Sequence, residues 1–188
     1  MRLLLIGAPG AGKGTQGERL AARLGVRHIA TGDLLRAEVK DHTPLGQTVS
    51  GYLDRGQLVP DQLILDLVVP RLLAASKDGG YILDGFPRSV AQAVEARDLA
   101  DHADAAAEYV VFLQAPRDAL VKRLLARAVA EGRSDDTHDV IVNRLWVFDE
   151  ATSPLVDYFR GRKLLHVVDA DQPADAVTAA ILTAIGTI

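Results

Sequence analysis

The sequence predicts an α/β fold in which a five-stranded parallel sheet is covered by helices on both faces. Three observations predict it. Five short apolar runs recur at residues 3–6, 27–30, 81–83, 109–113 and 164–168. Helical periodicity fills the stretches between them, and strands that alternate with helices form parallel sheets buried on both faces. A glycine-rich turn follows the first run directly, and in such sheets ligands gather at the carboxyl ends of the strands.

The elements follow in order. Leu3-Leu4-Leu5-Ile6 reads as the first strand, the glycine turn ends it, and residues 14–24 read as a helix. After the second strand the chain takes a long route to the third. A covering helix needs about a dozen residues, so this crossover carries an inserted part: two short helices at 33–40 and 44–53, then a Gly56-Gln57-Leu58-Val59-Pro60 loop. The crossover between the fourth and fifth strands is also too long. It reads as a helix over 116–129, a short Glu131-Gly132-Arg133-Ser134 turn, and a second long helix starting near Asp135 or Asp136, both suited to N-capping. Residues 103–107 read as an alanine-rich surface helix or loop, and there is no tandem repeat or low-complexity linker.

A chain of 188 residues with 48% hydrophobic content suits one domain with small insertions. A net charge of −4 provides no global basic field for a nucleic-acid polymer, which leaves a local cationic pocket and a small anionic ligand. Cysteine is absent, which excludes disulfides and thiolate zinc sites. The N-terminus starts with a core strand, and no apolar run approaches the about 18 residues of a membrane span. The expectation is a cytoplasmic protein.

Chemistry concentrates at the strand ends. In Gly7-Ala8-Pro9-Gly10-Ala11-Gly12-Lys13-Gly14-Thr15 the glycines let the backbone bend sharply and turn its N–H groups toward an anion. Lys13 adds a mobile charge, and the helix that follows points its N-terminus at the same place. The strict G-x-x-x-x-G-K-[ST] spacing fails by one place, because Gly14 stands where the hydroxyl is expected and the hydroxyl arrives at Thr15. No direct metal ligand is therefore assigned there. Asp84 ends an apolar strand and is the candidate for magnesium, directly or through water; a turn-capping aspartate is the alternative. Gly85 permits close backbone approach, Pro87 stiffens the turn, and Arg88 offers a planar fork matched to phosphate. Arg123 and Arg127, four apart, share a helix face. Arg133 lies in the short turn and Arg144 one helix further on. A solvated basic face would explain such arginines, but their position after the fourth strand suits closure over the glycine turn.

Those stretches, together with Thr31-Gly32-Asp33-Leu34-Leu35-Arg36, Asp84-Gly85-Phe86-Pro87-Arg88 and Gly132-Arg133-Ser134-Asp135-Asp136, resemble the ordered motif set of adenylate kinases over essentially the whole chain. The resemblance implies a P-loop NTPase type of sheet with an AMP-binding insertion at 30–59, a short lid at 127–136 without zinc, and a core of 1–29, 60–126 and 137–188. It implies reversible transfer from MgATP to AMP. Gly10, Ala11, Gly12, Lys13, Gly14 and Thr15 would cradle the ATP phosphates, with Arg123 and Arg127 beside ATP. Gln172 falls where some relatives have lysine or glycine near the ATP base. Thr31, Arg36, Gln57, Leu58, Val59, Gly85, Phe86, Pro87, Arg88 and Gln92 would surround AMP, and Arg133 and Arg144 would bridge the transferring group.

Thr31 and Gln92 are the types found in adenylate kinases, whereas the similar UMP/CMP kinases tend to carry Ala and Asn there. A carboxamide can give one hydrogen bond to adenine and take another, so Gln92 is expected to read the base; an exposed helical glutamine is the alternative. The five histidines lack ligand spacing and read as structural or exposed. Trp146 and Phe148 read as core, and Gly17, inside the first helix, has no evident purpose. The implied partners are ATP and AMP or ADP, with no membrane or nucleic acid and a monomeric state. A pyrimidine monophosphate kinase and a non-catalytic nucleotide sensor are the rival readings; the second does not require the second phosphate site that the arginines suggest.

Overall fold

The structure, a computed structural model, describes residues 1–131 and 137–187. Its sheet has the strand order β2-β3-β1-β4-β5, all parallel, from β1 (Arg2–Gly7), β2 (Arg27–Ala30), β3 (Tyr81–Asp84), β4 (Tyr109–Gln114) and β5 (Leu165–Asp169). Each of the five expected strands is present with its ends within one residue of those expected; β2 is unchanged and β5 is shifted by one residue.

Alternation along the strands builds two cores. Leu3 and Leu5 of β1, Ile82 of β3 and Val111 and Leu113 of β4 face one side, against α1 (Lys13–Leu24), α6 (Arg117–Glu131), α7 (His138–Val147) and α9 (Ala174–Ala184). Leu4, Ile6, Tyr81 and Leu83 face the other, against α4 (Asp61–Lys77), α5 (Val90–His102) and α8 (Pro154–Gly161). Two further helices, α2 (Thr31–Lys40) and α3 (Pro44–Asp54), pack on each other and join this second core through Leu35 and Val49. They occupy the excess length expected in the second crossover.

Several local expectations need correction. The helix α1 starts at Lys13, with Gly12 as N-cap, and α2 starts at Thr31, directly at the strand end. The N-cap of α7 is Thr137, whose hydroxyl accepts the Val140 N–H; Asp135 and Asp136 lie outside the described residues. The expected second long helix is α7, a π-helical turn over Phe148–Thr152, and α8 in succession. Trp146 is 58% exposed and is not core, while Phe148 packs at the edge of the first core. Within the segment 103–107, Ala105 is buried, and its carbonyl accepts the Tyr81 hydroxyl at 2.9 Å. Among the described residues no helix is long and apolar enough to cross a membrane.

Candidate active site

The crevice opens over the carboxyl ends of β1 and β3, where Leu5 is in register with Asp84. Backbone conformation makes the first half of the site. Gly10 and Gly12 have φ of 84° and 89°, in the left-handed region that glycine adopts without a Cβ clash. A Cβ on Gly10 would lie 2.8 Å from the Leu120 carbonyl of α6, whereas one on Gly12 would meet nothing within 4 Å. The loop is thus packed on one side and open on the other. The N-cap of α1 has no side-chain bond and the first turn holds no acidic residue, so the first N–H groups of the helix are left for an anion.

Lys13 curls back over this loop and donates to the carbonyls of Gly7 at 2.8 Å and Ala8 at 3.0 Å. Burial lowers its pKa to about 8, against the attraction of Asp84 and together with the repulsion of Arg88 and Arg127. Asp84 is half-buried, and its Oδ2 lies 3.8 Å from the point where a Cβ on Gly14 would stand. One carboxylate beside a phosphate loop fits magnesium, which keeps several waters and takes its other ligands from the phosphates. Among the described residues no group of three or more His, Cys, Asp or Glu side chains could hold a metal ion. Thr15 is exposed on the first turn of α1.

The second half is a pocket lined by Thr31, Leu35, Leu53, Gln57, Leu58, Val59, Ile64, Gly85, Arg88 and Gln92. The structure therefore brings together Thr31, Gln57, Leu58, Val59, Gly85, Arg88 and Gln92 as the sequence suggested. Phe86 turns into the core at 2% exposure, and Pro87, after a cis peptide bond, is not among the lining residues. The apolar walls Leu35, Leu53 and Ile64 were not singled out from the sequence, because they carry no signal beyond helical hydrophobicity.

Arg88 is held at three points. Its Nε donates to the Gly85 carbonyl at 2.8 Å, its N–H to Gln92 Oε1 at 2.7 Å, and its carbonyl accepts the Thr152 hydroxyl at 2.8 Å. Burial lowers the pKa of its guanidinium, with Asp84 opposing and the charges of Arg144 and Arg36 adding. Gln92 is 2% exposed, so it is not the exposed glutamine of the alternative reading; its Nε2 donates to Asp61 Oδ1 at 2.6 Å. Asp61 and Thr152 are contacts that the sequence did not reveal. The Thr31 hydroxyl oxygen is buried without a hydrogen-bond partner in the pocket wall, which leaves it able to bond a group entering the pocket.

Of the other arginines, Arg36, Arg127 and Arg144 bring their charges toward Lys13 or Arg88 from α2, α6 and α7. Arg36 pairs with Asp33 on α2. Arg144 rides on α7, which is fixed to the end of α3 by Asn143 donating to the Arg55 carbonyl at 2.7 Å, and a Cβ on Gly56 would come within 2.8 Å of its stem. Arg127 is helical in α6 and its charge reaches Lys13. Arg123, one turn earlier, donates to the Ala170 carbonyl at 3.0 Å and to Asp171 at 3.1 Å. That places it at the loop after β5, where Gln172 is exposed and bonded to Asp169 at 3.2 Å. Arg133 lies outside the described residues.

A phosphate loop and a second pocket that share one crevice are what two nucleotides need. The family model described as adenylate kinase matches residues 5–164. The chain belongs to the adenylate kinase family. It is 46% identical to an adenylate kinase of Kocuria rhizophila over 98% of both chains. It is 46% identical to one from Cyanothece sp. over 96% of this chain and 92% of the relative. One from Bacteroides thetaiotaomicron is 38% identical over 98% of both. The adenylate kinases are phosphotransferases that use MgATP. In this member the match takes in the glycine loop, the pocket and α7, and stops before Gln172.

Proposed function

We propose that this chain transfers the terminal phosphoryl group of MgATP reversibly to AMP, giving two ADP, with the glycine loop as the ATP site and the pocket between Thr31 and Gln92 as the AMP site. The observation that carries this reading is the coupling of the two halves: Lys13 and Arg88, one in each half, are half-buried, Lys13 lies within range of the Arg88 charge, and both feel Asp84.

The acceptor is a phosphate oxygen, anionic at neutral pH, so no side chain has to remove a proton. The task is to align two anions that repel each other and to neutralise charge as it spreads in the transition state. Gly10 to Thr15 hold the ATP phosphates by backbone N–H groups and Lys13. Arg123 and Arg127 stand beside ATP, and Gln172 borders its base. Arg36 and Arg88 hold the AMP phosphate, Thr31, Gln57, Leu58 and Val59 enclose its nucleoside, and Gln92 reads its base. Arg133 and Arg144 bridge to the transferring group. Asp84 would hold magnesium, directly or through its waters, and the ion would supply positive charge against the phosphates during transfer. No zinc is needed.

Residues 30–59 act as the AMP-binding insertion and 127–136 as a short lid over a core of 1–29, 60–126 and 137–188. Closure of both expels water, a competing acceptor. The protein works in this reading as a cytoplasmic monomer, with ATP and AMP or ADP as its partners. The test is a product assay with MgATP and AMP, CMP, UMP, GMP or no acceptor. ADP formed in quantity only with AMP is the expected result. Transfer to CMP or UMP instead would overturn the assignment of the base pocket, and no transfer to any acceptor by folded protein would overturn the reaction.

A further inference from the structure

A carboxamide is a poor reader of a base unless its two ends are told apart, because a half-turn about its last bond exchanges donor and acceptor at little cost in shape. Gln92 is fixed against that turn from behind. Its Oε1 accepts the Arg88 main-chain N–H at 2.7 Å, a group that can only donate. Its Nε2 donates to Asp61 Oδ1 at 2.6 Å, and a carboxylate can only accept. Rotation would set oxygen against carboxylate and N–H against N–H, with two hydrogen bonds lost in a site where Gln92 is 2% exposed.

We infer that Asp61 is a positioning residue for base recognition: with the Arg88 N–H it fixes the donor and acceptor order of Gln92, and so selects adenine over a 6-oxopurine. The inference rests on the pocket being the AMP site. Each end of the amide keeps one lone pair or one proton for a ligand. Adenine offers an amino donor beside a ring-nitrogen acceptor, which matches one amide order only. Hypoxanthine and guanine carry a carbonyl where adenine has its amino group, so the fixed Oε1 meets an acceptor. Asp61 is not among the residues that line the pocket, stands at the start of α4, and acts through Gln92.

Asparagine at 61 keeps the size of the side chain but can present either its oxygen or its amide, so one of the two penalties on the rotated form disappears. One hydrogen bond of this kind corresponds to about a tenfold change. The experiment measures kcat and KM for AMP and IMP at saturating MgATP, and KM for ATP, in the unsubstituted protein, Asp61→Asn and Gln92→Leu. The expected result is that Asp61→Asn lowers the preference for AMP over IMP by about tenfold, raises KM for AMP, and leaves KM for ATP unmoved. AMP kinetics altered by Gln92→Leu but unchanged in folded Asp61→Asn would overturn the role of Asp61 and leave the AMP pocket standing. AMP kinetics altered by neither would overturn the pocket assignment and this inference with it. Should Asp61→Asn not fold, the side-chain amide protons of Gln92 in the unsubstituted protein decide by NMR. Slowed exchange relative to free carboxamides is expected, and exchange as fast as theirs would overturn the lock.

Discussion

At the scale of single residues, Gly17 shows how a packing constraint can override helix propensity. Alanine suits a helix interior better than glycine by about 1 kcal/mol, yet a Cβ at position 17 would lie 2.2 Å from His28 Nε2 on the neighbouring β2. Gly17→Ala is therefore expected to push the His28 ring aside and to lose up to about 2 kcal/mol of stability, the about 1–3 kcal/mol of overpacking less the helix gain, and His28→Ala in the same chain is expected to make Gly17→Ala stabilising. Denaturant unfolding of the single and double variants checks both; a Gly17→Ala effect that is the same with and without His28→Ala would overturn the clash. Lys13 yields a pH prediction. With burial holding its pKa at about 8 in the free protein, it carries its charge below that pH and loses it above. ATP phosphates favour the charged form and raise the pKa in the complex. Binding near pH 8.5 should then take up protons, and ATP affinity should fall as pH rises through 8. Calorimetry in two buffers of different ionisation enthalpy measures the uptake, and a value of zero would remove Lys13 from phosphate contact.

At the scale of elements, the glycine loop was legible because backbone geometry of this kind leaves a composition signature: the left-handed φ at Gly10 and Gly12 demands glycine at those places. The strand-end Asp84 and the turn through Arg88 were legible for a related reason, since an apolar run that stops at a carboxylate and a Pro marks a strand boundary. The π-helical turn Phe148–Thr152 left no such trace. One extra residue in a helical turn changes which side chains face inward, and here it aims the buried Thr152 hydroxyl at the Arg88 carbonyl, 2.8 Å away. Thr152→Val keeps the shape and removes the bond. The expected cost is about 1–3 kcal/mol of stability, with a fall in kcat larger than any change in KM for ATP. Thermal unfolding and steady-state kinetics check this, and unchanged stability and kcat together would show that the contact is incidental.

At the scale of the whole molecule, the two cores on opposite faces of the sheet hold β1 and β3 as neighbours and so set the glycine loop beside Asp84 and Arg88. The helices α2 and α3 join the second core through Leu35 and Val49 and contribute the far wall of the pocket through Leu35 and Leu53. If the 30–59 insertion closes over bound nucleotide, a label on α3 should approach one on the core. The chain has no cysteine, so Gln47→Cys and Thr183→Cys can be labelled cleanly. Energy transfer between them is expected to rise when an analogue that joins two adenosines through a polyphosphate is added, and a constant signal with the analogue bound would overturn the closing motion. The sequence by itself determined the strand and helix alternation, the phosphate loop and most of the pocket residues, because each depends on local periodicity, on glycine conformations or on motifs close together in the chain. Only the tertiary structure decided that Gln92 is buried and bonded to Asp61, that His28 occupies the space beside Gly17, that Thr152 supports Arg88, and that Trp146 faces solvent. Those contacts join residues far apart in sequence or depend on which face of a helix turns inward, and packing between elements, not local propensity, sets them.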